Sequence, residues 1–326
     1  MPVISEAGAS RTGPGASDPE ISRLTGQLIL MQFTGSQPSD AGLKAIRAML
    51  HAGTIAGAVF TSENIRSRAQ IKELMKFLKP TTGMQSRPLF AIREIGGGLD
   101  GLPAVRDFEQ WPSQSEVAAK GDPEYAHSTY RSMGSSLAVL GFNLNFGPIL
   151  SRGRGARGAT ASFGDNPLQA GVFAKTFILG HREEHVIPVP IVDSSNLSLA
   201  ALKTLLVQYP DTPIAAYIVP SNPASPFAVF GALVRGPHFC FVALPSEEGS
   251  EAVAAFNRGC DVIVANGGSD NPALVRDRIA QAIYEAIQRN ELTLDALNAA
   301  SQRLISLRTS MSALYDGPRA RFSAQK

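Results

Sequence analysis

The sequence predicts an α/β fold, a single-domain (β/α)₈ barrel, and three observations carry that expectation. Short apolar runs alternate with amphipathic segments about eight times along the 326 residues. Several runs are near-continuously apolar, as parallel strands covered on both faces must be. Three helix starts are marked by a capping side chain followed by proline, at Asp122-Pro123, Asn166-Pro167 and Asn271-Pro272. Strand–helix repetition of this kind closes into a barrel. A doubly wound sheet is the alternative that uses the same units.

The strand runs, in order, are Leu28–Phe33, Ala56–Phe60, Pro88–Ile92, Phe142–Phe146, Val186–Val192, Pro213–Val219, Phe239–Leu244 and Asp261–Ala265. Between them, Leu43, Ile46 and Leu50 fall on one helical face, and Ile71, Leu74, Phe77 and Leu78 on another. Val275, Ile279, Ile283 and Ile287 recur at intervals of four, and a last helix is expected over Thr293–Leu307. Residues 1–20, rich in Gly, Ser, Ala and Pro, are expected to form a disordered tail. The barrel is expected over 21–310, with a second tail over 311–326.

Composition removes several classes of function. Hydrophobic residues make up 44% and charged residues 18%, which fits a globular domain rather than a disordered chain. Thirty Lys and Arg against 28 Asp and Glu leave a charge of +2, so no basic field invites nucleic acid. No apolar stretch reaches eighteen residues, so no membrane span is expected. The N-terminal residues lack the basic and apolar regions of a secretory signal. Cys240 and Cys260 lie in apolar segments and read as buried, reduced thiols of a cytoplasmic protein.

In such a barrel, chemistry belongs at the C-terminal ends of the strands. There the sequence places Arg93-Glu94 and a glycine run (Gly96 to Gly98), then Arg152, Arg154 and Arg157 in a glycine-rich loop. It also places Asp193, Tyr217 and the pair Glu247-Glu248 there. The arginines suit a phosphate or carboxylate. Asp193 and Glu247 are the remaining carboxylates able to form an acid/base pair. The glycine run lacks the register of a phosphate-binding loop and reads as a flexible turn. His181-Arg182-Glu183-Glu184-His185 has the H-x-x-E-H spacing of a zinc pair. Its expected place at the N-terminal face of the barrel, with no third ligand, leaves no metal or other cofactor expected. Trp111 reads as a rim anchor, with sugar stacking as the alternative.

The chain resembles family 3 glycoside hydrolases, in particular single-domain bacterial β-N-acetylglucosaminidases, from about Thr25 to Leu307. The resemblance rests on Gly26-Gln27-Leu28-Ile29-Leu30-Met31-Gln32-Phe33, Gly57-Ala58-Val59-Phe60 and Pro88-Leu89-Phe90-Ala91-Ile92 with Gly96-Gly97. It continues through Leu140-Gly141-Phe142-Asn143-Leu144-Asn145-Phe146-Gly147-Pro148, Ser162-Phe163-Gly164-Asp165-Asn166-Pro167 and Gly259-Cys260-Asp261-Val262. It implies the barrel and, in the family, retaining hydrolysis of glycosides by a nucleophilic carboxylate and a proton-transfer group.

Residue by residue, the groups that touch sugar differ. The family's Asp-Gln-Glu-Gly-Gly aligns with Arg93-Glu94-Ile95-Gly96-Gly97, which puts arginine where an aspartate holds sugar hydroxyls. Ser151 and Ala161 stand where the family has aspartate and arginine. The Lys-His-Phe-Pro-Gly-His-Gly stretch aligns with Pro188-Val189-Pro190-Ile191-Val192-Asp193-Ser194. Tyr217 falls where a histidine is expected, and Pro245, followed by Ser246 and Glu247, where the nucleophile is expected. The resulting expectation is a non-catalytic barrel with a binding or regulatory role. Its mouth would take a sugar or small anion on Arg93, Glu94, Arg152, Arg154 and Tyr217, or the barrel would engage a protein partner. The alternative is an active β-N-acetylhexosaminidase rebuilt on Asp193 and Glu247.

Overall fold

A computed structural model describes residues 18–80, 87–98, 101–103, 107–150, 161–192, 215–218, 239–243, 249–257, 259–267 and 271–315. Eight parallel strands close into a barrel in sequence order. They are β1 (Ile29–Gln32), β2 (Gly57–Val59), β3 (Leu89–Ile92), β4 (Leu144–Ile149), β5 (Ile187–Val192), β6 (Ala215–Ile218), β7 (Phe239–Ala243) and β8 (Val262–Ala265). All eight expected runs are strands, most of them trimmed at their ends. The fourth is displaced toward the C-terminus, because Gly141 ends the preceding helix with φ 100° and Asn143 begins the strand pairing.

The described helices are α1 (Pro19–Gly26), α2 (Ala41–His51), α3 (Arg68–Leu78), α4 (Gln114–Ala119) and α5 (Pro123–Leu140). After them come α6 (Pro167–Glu183), α7 (Gly249–Asn257), α8 (Pro272–Gln288) and α9 (Leu294–Tyr315). The three proline-led starts hold: Asp122, Asn166 and Asn271 each accept backbone N–H bonds of the first turn. Asp18-Pro19 is a fourth start of the same kind, with Asp18 accepting from Glu20 and Ile21, so helix begins inside the expected N-terminal tail. Ile21 and Leu24 anchor it in the core. At the other end α9 runs to Tyr315, past the expected stop at Leu307.

The expected core faces are inward. Leu43, Ile46, Leu50, Ile71, Leu74, Leu78, Ile279 and Ile283 are fully buried, and Phe77 and Ile287 are partly buried against the core. Strand register sets which side chains fill the barrel. Leu30 pairs with Gly57 and Val264, and Gln32 with Val59. Gly57 pairs with Leu89, and Ala91 with Leu144. With a period of two, one set points inward and the residues between point at the helices. Gly57 has no alternative, since a Cβ there would lie 1.9 Å from the Leu89 carbonyl oxygen. Phe146 crosses the interior to meet Phe241 edge-on, ring centroids 5.8 Å apart.

β5 carries two prolines in an interior strand. Ile187 donates to Asn143, and Leu150 donates to Ile191, so the odd-numbered residues of β5 face β4. Pro188 and Pro190 therefore turn toward β6 the side on which they have no N–H to give. The β5–β6 pairing is correspondingly short, Ile191 with Tyr217 and Val192 with Ile218.

Cys260 is disulfide-bonded, which corrects the expectation of reduced thiols. The chain's other cysteine, Cys240, lies in β7, and the pairing of Phe241 with Val262 sets that position beside the residues leading into β8. None of the helices among the described residues is long and apolar enough to cross a membrane.

Candidate functional site

At the C-terminal ends of β1, β2, β3, β4 and β8 lies a pocket of about 130 Å³. Its polar lining is Gln32, Thr61, Ser62 and Arg93, and Phe60 and Phe146 are among its apolar walls. These are inward positions of the register: Gln32 ends β1, and Arg93 continues the inward set of β3.

The rim that carries Thr61 and Ser62 is held firmly. Asn64, fully buried, donates from Nδ2 to the carbonyls of Phe33 (3.1 Å) and Gly35 (2.8 Å), while its Oδ1 accepts the Thr61 N–H at 2.8 Å. Gln70 adds bonds to the carbonyls of Ser36 and Asn64. Asp40 accepts the N–H groups of Ser36 and Gln37, which hold its carboxyl below the usual carboxylate range. The loops after β1 and β2 are thus one hydrogen-bonded unit. Gly267, after β8, donates to the Gln32 carbonyl at 3.1 Å.

Arg93 and Glu94 are neighbours with opposite fates. Arg93 is exposed and lines the pocket. Glu94 faces the helix layer and is 4% exposed. Its Oε1 accepts the Gly96 N–H at 2.8 Å and its Oε2 the Leu102 N–H at 2.9 Å. Glu94 is therefore withdrawn from the expected ligand-binding set. Strand parity turns it away from the mouth, and both carboxylate oxygens are engaged by main chain. Gly96, Gly97, Gly98 and Gly101 all have positive φ, and the Gly96 and Leu102 N–H groups meet on the Glu94 carboxylate as main-chain N–H groups meet on a bound anion. A Cβ on Gly96 would lie 2.1 Å from the Pro112 carbonyl oxygen. Trp111 is the anchor it was expected to be: its carbonyl accepts the Gly97 N–H at 2.9 Å, and its ring packs against the core.

Behind Glu94 stands a buried network that the sequence analysis missed. Asn145 accepts the Glu94 N–H on Oδ1 (2.8 Å) and donates from Nδ2 to the Glu94 carbonyl (2.8 Å) and to His181 Nε2 (2.9 Å). His181 donates from Nδ1 to the Phe177 carbonyl, 2.9 Å away. With Nε2 accepting, the ring is neutral, and burial lowers its pKa from the ordinary 6.5 to about 4. Asn143 clasps the other end of β3 in the same way, accepting from Phe90 and donating to the Pro88 carbonyl. The signal was present as two asparagines spaced by two inside an otherwise apolar strand motif. Side chains of that type, buried in a strand, need partners on the neighbouring strand.

The H-x-x-E-H spacing does not form a metal pair. α6 ends at Glu183, and His185 lies beyond it with φ 63°, so the two histidines do not share a helix face. His181 instead points inward to Asn145. Among the remaining predicted site residues, Asp193, Arg152, Arg154, Arg157 and Glu247 lie outside the described residues. So do Ser151 and Pro245. Tyr217 is placed in β6 opposite Ile191 by its main chain alone. Ile95, Pro190 and Ala161 are buried.

The family model described as the glycosyl hydrolase family 3 N-terminal domain matches residues 22–190, half of the chain. The chain belongs to this family. A protein named beta-hexosaminidase from Xylella fastidiosa (strain 9a5c) is 31% identical over 135 residues, 39% of this chain and 38% of that protein. Another of that name, from Xylella fastidiosa (strain M23), is 27% identical over 69% of this chain and 79% of its own length. The match to the first of these spans well under half of its length. Among solved structures, a family 3 β-N-acetylglucosaminidase from Paenibacillus sp. str. FPU-7 superposes with a TM-score of 0.71 at 18% identity. That superposition covers 91% of this chain and 63% of the other. A β-N-acetylhexosaminidase from Beutenbergia cavernae DSM 12333 gives 0.70 at 15% identity, covering 90% and 100%. At these identities the structures establish the barrel fold.

Proposed function

We propose that this family 3 barrel binds a ligand at its mouth without hydrolysing a glycoside. The observation that carries the reading is at the end of β3. Arginine lines the pocket where the family pattern has an aspartate for sugar hydroxyls, and the adjacent carboxylate, Glu94, is buried in the loop. Retaining hydrolysis needs a nucleophilic carboxylate and a proton-transfer group on opposite sides of the anomeric carbon. Among the described lining residues of the pocket none is acidic. Binding then serves a regulatory role or recruits a protein partner.

The names of the relatives favour a second reading, an active β-hexosaminidase that uses Asp193 and Glu247. One assay separates the two. The protein is incubated with an aryl β-N-acetylglucosaminide, beside Asp193→Ala and Glu247→Ala variants. The binding reading expects no turnover in any of them. Turnover that disappears in one variant establishes hydrolysis and removes the first reading.

A cytoplasmic setting is part of the first reading, and the disulfide at Cys260 bears against it, because such bonds persist in oxidising compartments. Peptide mapping of protein extracted under thiol block decides the point: free Cys240 and Cys260 keep the cytoplasmic setting, and a crosslinked pair removes it.

A further inference from the structure

We infer that the mouth pocket selects a small anion, a carboxylate- or phosphate-bearing molecule of monosaccharide size or less, over the neutral sugar. The inference rests on the reading that the mouth binds a ligand, and it names the ligand's class.

Charge carries the argument. Of the described lining residues only Arg93 is ionised, and it brings a positive charge to the mouth end of β3. Glu94, the nearest carboxylate in sequence, faces the opposite side of the strand and accepts two loop N–H groups. Arg93 has a protein contact of its own. A guanidinium has five N–H donors in a planar fork, so it serves an additional acceptor beside that contact.

The surroundings strengthen the preference. Phe60 and Phe146, both buried, form apolar walls, and apolar walls raise the effect of a charge on whatever enters. Gln32 and Ser62 add neutral hydrogen-bonding groups suited to hydroxyls or to anionic oxygens, while the Thr61 hydroxyl donates to Asn64 Oδ1 at 3.2 Å. The Asn64 clasp fixes Thr61 and Ser62 in advance, so little ordering is needed on binding. The volume of about 130 Å³ is below the roughly 300–1,000 Å³ of ordinary ligand pockets, which favours a small molecule over an oligosaccharide. A guanidinium in this position is suited to a carboxylate or phosphate group, which it can grip through two of its N–H donors.

The test is calorimetric titration of the full chain at low salt with four probes: glucuronate, glucosamine 6-phosphate, inorganic phosphate and neutral N-acetylglucosamine. We expect at least one of the three anions to bind tenfold or more tightly than N-acetylglucosamine. That margin should shrink in 0.5 M salt. Glucuronate against the two phosphates identifies the anionic group. Arg93→Gln should abolish the margin and Arg93→Lys should keep part of it. Arg93 is exposed, and an unchanged thermal midpoint confirms that each variant folds. Equal or tighter binding of N-acetylglucosamine overturns the anion assignment while leaving the ligand-binding reading in place. An anion preference that survives Arg93→Gln also overturns it, because the anion then sits elsewhere. Failure of all four probes to bind overturns the anion assignment, and the turnover assay still decides the proposed function.

Discussion

Asn145 Nδ2 lies 2.9 Å from His181 Nε2, and the same side chain closes on the main chain of Glu94 at both its N–H and its carbonyl. One amide thus joins the end of β3, the start of β4 and the last turn of α6. All of its partners are buried. The charged group beyond it, Glu94, is held by the Gly96 and Leu102 N–H groups, so a continuous polar path runs from α6 to the loop after β3.

Replacing Asn145 by leucine should strip three buried groups of their partner: the Glu94 N–H, the Glu94 carbonyl and His181 Nε2. Each orphaned group costs about 1–3 kcal/mol. We expect a loss of at least about 3 kcal/mol in urea unfolding. Made in a His181→Phe background, the same substitution should cost less, because one of the three groups is gone. Equal costs in the two backgrounds would show that the Asn145–His181 contact contributes nothing.

Acid should destabilise the protein through His181. The ring is neutral when buried, with a pKa of about 4 against an ordinary 6.5. Its contribution to stability is fully present above pH 6.5, where neither state is protonated. It is lost as pH falls toward 4, because the unfolded chain takes up a proton that the folded one does not. The difference corresponds to about 3 kcal/mol. Urea unfolding at pH 7.0 and 4.5 should show most of this loss, and His181→Gln should flatten the profile over that window. An unchanged profile in the variant would assign the acid sensitivity to other groups.

The glycine loop should fail if its anion is altered. In Glu94→Gln an amide N–H₂ would face either the Gly96 or the Leu102 N–H. We expect destabilisation of about 1–3 kcal/mol. Gly96→Ala should do at least as much, given its φ of 81° and the 2.1 Å approach to the Pro112 carbonyl oxygen. Trp111 is the single tryptophan and its carbonyl holds Gly97, so its fluorescence reports the loop directly. A red shift in both variants is the expected result, and unshifted emission would show that the loop keeps its form without the Glu94 carboxylate.

Tyr130 is fully buried against Phe163 and Phe177, and its hydroxyl has no hydrogen-bond partner among the described residues. Burial accordingly raises its pKa. Tyr130→Phe should therefore be neutral or stabilising, by up to about 1 kcal/mol. A thermal midpoint lowered by several degrees would show that the hydroxyl has a partner in solution.

The barrel was legible in the sequence because parallel strands and amphipathic helices write their burial into short-range pattern. Leu43, Ile46 and Leu50, or the Asn166-Pro167 start, need nothing beyond their neighbours to be read. The family was legible too, through the glycine turns and strand cores that the barrel requires. The fate of Arg93 and Glu94 was not. In sequence they are adjacent charged residues at a strand end, and both read as ligand-binding groups. Which of the two enters the mouth depends on strand parity, which the pairing of β3 with β2 and β4 sets. The role of His181 was equally hidden: its spacing to His185 implied a shared helix face, but the helix ends two residues before His185. Sequence by itself determined the elements, their order and the family, since these are properties of local pattern and residue identity. The tertiary structure alone decided which charges meet the pocket and which are buried behind it, because a side chain's environment is made by strands and helices distant along the chain.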